Sequence, residues 1–391
     1  MSGRVLVVVV CALFVGCGGD DAKFNPDGEG STPALGRPAE VEEVVRDLGF
    51  PAIATRNTTR VAGPDPVANA AGVARAVYPG VAADSRPGSV TLVDVGDFPA
   101  AVSAAQLMAA PLSSPILFSV DGDLPQATQD ALDAIQPIGA EAAGDAQVFR
   151  VGDAAATPAG LEATAIAGDK PAAIARAIDR VATEAAGEQS EAVIVASLED
   201  PEFAMPAAGL STKTGAPVLW TEADALPEVT VQTIESRKQP RIYVVGPEEV
   251  VSEKVFEQLE KLGPTDRIAG ENPVENAIAV ARYADGAFGW NVVDPGHGLV
   301  FAGSATPADA PAAAALSGSG KYGPLLLVSE PDALETAVEG YLLDIQPGYD
   351  ADPVRGVYNH AWVLGDEAAI SVAVQARIDS LLEIQSVTGE G

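Results

Sequence analysis

Two histidines, three tryptophans, two cysteines and a few acidic pairs are the side chains of this 391-residue chain best suited to chemistry. His297 and His360 have neither a repeated partner nor metal-ligand spacing, so each is expected in a loop or the core rather than as a catalyst. No serine, histidine and aspartate fall into a nucleophile-elbow context. "VDGD" (residues 120–123) could offer two carboxylates to calcium, but it lacks the longer loop of such sites and reads as an acidic turn. "GSGKYG" (318–323) fits G-x-G-x-x-G but precedes a strand-like run instead of following one, so a dinucleotide reading fails on context. Trp220 and Trp362 fall in strand-like runs and are expected in the core. Trp290, in the polar stretch "DGAFGWNVVDPGHG" (285–298), is the better candidate for stacking on a sugar ring. No enzyme activity, cofactor or resident metal is expected.

Cys17 is the remaining reactive residue. Behind Arg4, an apolar run from Val5 to Val15 is too short for a mature transmembrane helix but suits the core of an export signal. The run ends at "FVGC" (14–17), which resembles the lipobox of bacterial lipoproteins. That resemblance implies a signal peptide over 1–16 and lipidation of Cys17, with anchoring on the extracytoplasmic face of the cell membrane. Residues 17–54, rich at first in Gly, Pro and Asp, read as a flexible tether. Cys11 would leave with the signal, so the exported part would be held by its core without a disulfide.

The formal net charge of −32 argues against nucleic acid and anionic membrane surfaces as partners. Hydrophobic residues make up 47% of the chain but aromatic ones only 5%, so Ala, Val, Leu and Ile must build most of the core.

The elements that would position any site come in three copies. "GPDPVANAAGVAR" (63–75) aligns without gaps on "GENPVENAIAVAR" (270–282), identical at eight of thirteen positions. "IQP" at 135–137 returns at 345–347, and a proline-led apolar run appears as "PILF" (115–118), "PVLW" (217–220) and "PLLL" (324–327). Repetition at this period marks repeat units, here 55–153, 154–262 and 263–391. Each opens with a helix signal, Asp65-Pro66 or Asn272-Pro273, an N-cap followed by proline at the first helical position. Lys170-Pro171 lacks the capping side chain. Strand and helix then alternate, which implies an α/β class with parallel sheets and right-handed crossovers. Continuous apolar strands are what a sheet covered on both faces requires.

These motifs resemble the cell-wall-binding repeat 2 family, whose marks are an "R-(I/V)-x-G" opening, an Ala-rich helix after a "F-P-D-A-L-A-A" turn, and a "P-I-L-L" strand. The corresponding stretches are "RVAG" (60–63), "RIAG" (267–270), "FPAAVSAA" (98–105) and the three proline-led runs. The resemblance implies three Toprim-like α/β units around a pseudo-threefold axis. It also implies non-covalent attachment to anionic cell-wall polymer. The candidate contacts it carries over are Pro115, Ile116, Leu117 and Phe118; Pro217, Val218, Leu219 and Trp220; and Pro324, Leu325, Leu326 and Leu327. Arg60 and Arg267 are the candidate basic contacts. The chain departs from the pattern at "TAIAG" (164–168), which has no arginine, and at Ala100, where the turn's aspartate would stand. Asp121, Glu222 and Glu330, just beyond the proline-led strands, are expected at inter-unit grooves. Acidic grooves imply a neutral or basic glycan, or polymer binding that depends on a divalent cation. A small solute or glycan bound between units is the alternative.

Overall fold

The computed structural model describes residues 50–153, 156–318, 322–350 and 352–387. The expected signal peptide, Cys17 and tether residues 17–49 lie outside the described residues, as do 319–321 of the glycine motif.

Strands and helices alternate as the repeats predict. The first copy runs β1 (Ala52–Ala54), β2 (Thr58–Val61), α1 (Pro66–Val77), β3 (Val90–Asp94), α2 (Phe98–Ala104), β4 (Ile116–Ser119), α3 (Gln126–Ile135) and β5 (Val148–Val151). The second runs β6 (Ala163–Ile166), α4 (Pro171–Ala186), β7 (Ala192–Ser197), α5 (Pro201–Thr214), β8 (Val218–Thr221), α6 (Glu228–Glu235), β9 (Arg241–Val245) and α7 (Glu253–Leu259). The third begins with β10 (Thr265–Ile268), α8 (Pro273–Arg282) and a small hairpin, β11 (Ala284–Asp285) and β12 (Phe288–Gly289). It continues through β13 (Gly298–Gly303), α9 (Asp309–Gly318), β14 (Leu325–Val328), α10 (Thr336–Asp344), β15 (Gly348–Tyr349), β16 (His360–Leu364), α11 (Val372–Leu381) and β17 (Gln385–Ser386).

Local chemistry sets the helix starts. Asp65 accepts from the Ala68 N–H at 2.8 Å and Asn272 from the Glu275 N–H at 3.0 Å, each just before a proline that fixes the first helical φ. Lys170 makes no side-chain cap bond.

The sheets repeat one parallel order: β4-β3-β5-β6, β8-β7-β9-β10 and β14-β13-β16-β2. The fourth strand in each comes from the segment that follows. β6 pairs with β5, β10 with β9, and β2 returns from the start of the chain to pair with β16, Val61 opposite Leu364. Strand exchange therefore closes into a ring. Residues 52–54, expected at the end of the tether, instead form β1, which pairs antiparallel along the outer edge of β2.

The Ala-rich helices α2, α5 and α9 pack pairwise at the centre. Their small side chains allow close approach: a Cβ on Gly209 of α5 would stand 2.9 Å from the Ser317 Oγ of α9. This is where the alanine-rich, aromatic-poor composition is used.

Candidate functional site

The proline-led runs become β4, β8 and β14, one equivalent strand in each sheet. Each is the edge strand, and each is buried. Ile116, Leu117, Phe118, Val218, Leu219, Trp220, Leu325, Leu326 and Leu327 are all at most 3% exposed. Pro115, Pro217 and Pro324 are buried as well, and their carbonyls accept the N–H groups of Thr91, Ile194 and Val300 at 2.9, 2.9 and 3.1 Å. A proline there continues the ladder on one side and presents no N–H on the other, which suits a strand at a sheet edge. Helices α1, α4 and α8 cover these edges. The Trp220 indole N–H donates to Ser103 Oγ at 2.8 Å, tying β8 to α2 across the first and second units. These side chains are core, so the expectation that they touch polymer directly is corrected: hydrophobic burial claims the surface a ligand would need.

Arg60 and Arg267 are corrected in the same way. Arg60 is fully buried. Its guanidinium donates to the carbonyls of Gly365, Asp366 and Ile370 at 2.7–2.9 Å and to Gln375 Oε1 at 2.8 Å. Arg267 donates to the carbonyls of Gly246 and Val251 at 3.1 and 2.8 Å and lies 4.7 Å over the Phe256 ring. Each arginine thus pins an exchanged strand to the loop that ends the preceding unit's last strand. Gly365 and Gly246 turn those loops at φ of 91° and 120°, the left-handed region that favours glycine. Ala165 holds the equivalent position on β6, exposed and without a pin.

The residues just beyond the edge strands are exposed: Asp121, Glu222 and Glu330. Each lies in a tight turn, closed by Val120–Asp123, Glu222–Ala225 and Glu330–Ala333 main-chain bonds. They give the carboxyl ends of the sheets an acidic rim. Among the described residues no three His, Cys, Asp or Glu side chains converge as metal ligands.

The remaining sequence candidates are scattered. His297 pairs with Asp294 at 2.9 Å, and His360 lies 3.1 Å from Thr59 Oγ1 with burial pushing its pKa down. Trp290 and Trp362 are half-buried, each with an indole nitrogen that is buried and without a partner. Lys213 lies 5.1 Å over the Trp290 ring.

Sequence reasoning missed a polar cluster between the first and second units. Asp179 of α4 accepts from Arg237 at 2.6 Å and from Gln106 at 3.2 Å, and all three are at most 6% exposed. Their spacing along the chain carries no signal; only the fold brings them together.

Residues 172–256 and 267–375 match the family model described as Cell wall binding domain 2. These stretches run from α4 into α7 and from β10 into α11. Among solved structures, the chain is similar to Cwp6 from Clostridium difficile, with 16% identity and a TM-score of 0.64 over 85% of this chain and 51% of that one. It is also similar to Cwp8 from Clostridium difficile, with 17% identity and a TM-score of 0.62 over 84% of this chain and 52% of that one. The chain spans about half the length of these two proteins, and the likeness is one of fold. The comparison with curated proteins gave no match. Through its second and third units, this chain belongs to the cell wall binding domain 2 family.

Proposed function

We propose that this chain is a lipid-anchored cell-envelope protein that binds cell-wall polymer non-covalently through its three repeats, as a binding module rather than an enzyme. The observation that carries this reading is the family match over two of three structurally repeated units. The ring of strand exchange supports a pseudo-threefold arrangement of repeats 55–153, 154–262 and 263–391 as one binding body. Lipidation at Cys17 rests on "FVGC", and two acyl chains there would hold the protein to the extracytoplasmic face of the membrane.

An anionic polymer meeting the acidic rim at Asp121, Glu222 and Glu330 is repelled at contact range, which screening over about 8 Å does not cancel. Binding on that rim therefore requires a divalent cation, or a neutral or basic glycan. The test is co-sedimentation of the protein with purified cell walls, with and without chelator, alongside fractionation of cells carrying Cys17→Ser. Retention on walls together with loss of processed protein from the membrane fraction in the variant is the expected result. No retention under either condition refutes wall binding, and a processed, membrane-bound Cys17→Ser protein refutes lipid anchoring.

A further inference from the structure

At the opposite end of the second sheet from the acidic rim, a cavity of about 630 Å³ is walled by all three repeats. Ala109–Leu112 of the first unit form one side, the ends of α4 and α5 and the start of β7 the floor, and Phe288 of the third unit's hairpin the far wall. A second hollow of about 470 Å³ continues it past Gln189, Ser190 and Glu191 to Ser236 and Arg241. Such volumes are those of small-ligand sites.

Two buried atoms at this site lack a partner, a donor (Arg237 Nε) and an acceptor on Gln106. Gln106 is 4% exposed, and its Nε2 donates to Asp179 Oδ1 at 3.2 Å and to the Gly215 carbonyl at 3.1 Å. Both partners only accept, so the amide cannot be reversed. Its Oε1 is left buried without a donor. A buried acceptor wants a hydrogen-bond donor, which a hydroxyl supplies and a phosphate oxygen does not. Helices α4 and α5 also end here at the left-handed Gly187 and Gly215, and helix C-termini carry carbonyls in need of donors.

The charge differs from the rest of the molecule. Lys213, Arg237, Lys238 and Arg241 line the paired cavities, with Glu188 and Glu191 the acidic residues among them. Arg237 is paired with Asp179 and Arg241 with Asp285, each at 2.6 Å, while Lys238 is exposed with no ion pair among the described residues. In a chain with 55 acidic and 23 basic residues, a nearly balanced groove is where a polymer with negative groups is not repelled.

We propose that this paired cavity is a glycan-binding groove that takes a hydroxyl-rich sugar chain, with Gln106 and the α4 and α5 termini reading its hydroxyls and Lys213 and Lys238 accommodating its anionic groups. The proposal rests on the wall-binding reading only for the source of the glycan. The test uses the full-length protein in detergent, with oligosaccharides released from purified wall polymer as the probe. Hydrogen exchange is expected to slow at 109–112, 186–192 and 213–215. Ala186→Trp, which fills the groove from an exposed helix end, is expected to weaken oligosaccharide binding at least tenfold. Glu257→Trp, on the outer face of α7, should leave it within twofold. Protection confined to the acidic turns, binding by Ala186→Trp within twofold of the parent, or no protection by any oligosaccharide overturns the groove. Protection of the groove without retention on intact walls keeps this proposal and refutes wall attachment. Retention on walls with an unprotected groove does the reverse.

Discussion

Truncating Arg60 would leave three main-chain carbonyls and the Gln375 amide oxygen without their donor in a site closed to water. A buried acceptor stripped of its partner costs about 1–3 kcal/mol. Arg60→Ala is therefore expected to destabilise the protein by about 3 kcal/mol or more, read as a lowered urea midpoint. Arg267, whose side chain is 19% exposed and whose bonds go to two carbonyls, should cost about 1–2 kcal/mol. If these arginines were polymer ligands, each variant would keep its stability and lose wall binding; the geometry demands the opposite. The "R-(I/V)-x-G" motif is legible in the sequence, but its role is not. Residue type gives charge, and a charge in an acidic chain suggests a ligand. Only the exchanged strand reveals that the partners are carbonyls, 305 to 310 positions away for Arg60 and 16 and 21 positions away for Arg267, pairings that local pattern cannot encode. The glycine of the motif is similarly structural: a Cβ at Gly63 or Gly270 would fall 2.4 or 2.3 Å from the following helix.

Elements show where the ring is weak. Three strands cross between units, and two carry an arginine pin; β6, with Ala165 in that place, does not. β6 also lies exposed over three of its four residues, whereas β2 is largely buried and flanked by β1. Local opening follows such differences in burial and bonding. Amide exchange should accordingly be fastest in β6, slower in β10 and slowest in β2; equal rates would show that the pins contribute nothing. The absence of arginine from "TAIAG" makes the weak junction readable from sequence. What the sequence did not disclose is that the opening strand belongs to the neighbouring sheet, because apolar pattern sets a strand's faces and leaves its pairing partner open. A second interelement contact is sensitive to pH. Where α1 packs on α9, Asp309 is 1% exposed and accepts from Asn69 Nδ2 at 2.9 Å. Burial, with Asp65 nearby, pushes its pKa up to about 6. An acid with a raised folded pKa binds its proton more tightly when folded, so its neutral form favours folding at low pH. That contribution is full below about pH 4 and is lost as pH rises through about 6. Asp309→Asn, which keeps an acceptor for Asn69, should remove this decline, worth on the order of 3 kcal/mol. A decline of the same size in the variant would place the titration elsewhere.

For the whole molecule, the family match and the physical unit do not coincide. The matched stretches lie within 172–375, yet the ring closes only through β2, which precedes them. A fragment of residues 156–391 keeps both matched repeats but loses β2, β1 and α1. The outer edge of β16 would then present unpaired N–H and C=O groups, a template for pairing with other chains. The pocket that holds Arg60 would be empty, and the α9 surface beneath α1 would be bare. The central helices would lose α2 as well, and Trp220 its Ser103 acceptor. In contrast, α/β units that fold independently would lose no internal contact when cut at a boundary. The fragment is therefore expected to be poorly soluble or to unfold without a cooperative transition. Co-expression with residues 50–153 should recover a soluble 1:1 complex, because that piece restores both the closing strand and the central helix. A fragment that melts cooperatively as a monomer, near the temperature of the full chain, would mean that the ring closure is an ornament on independently stable repeats.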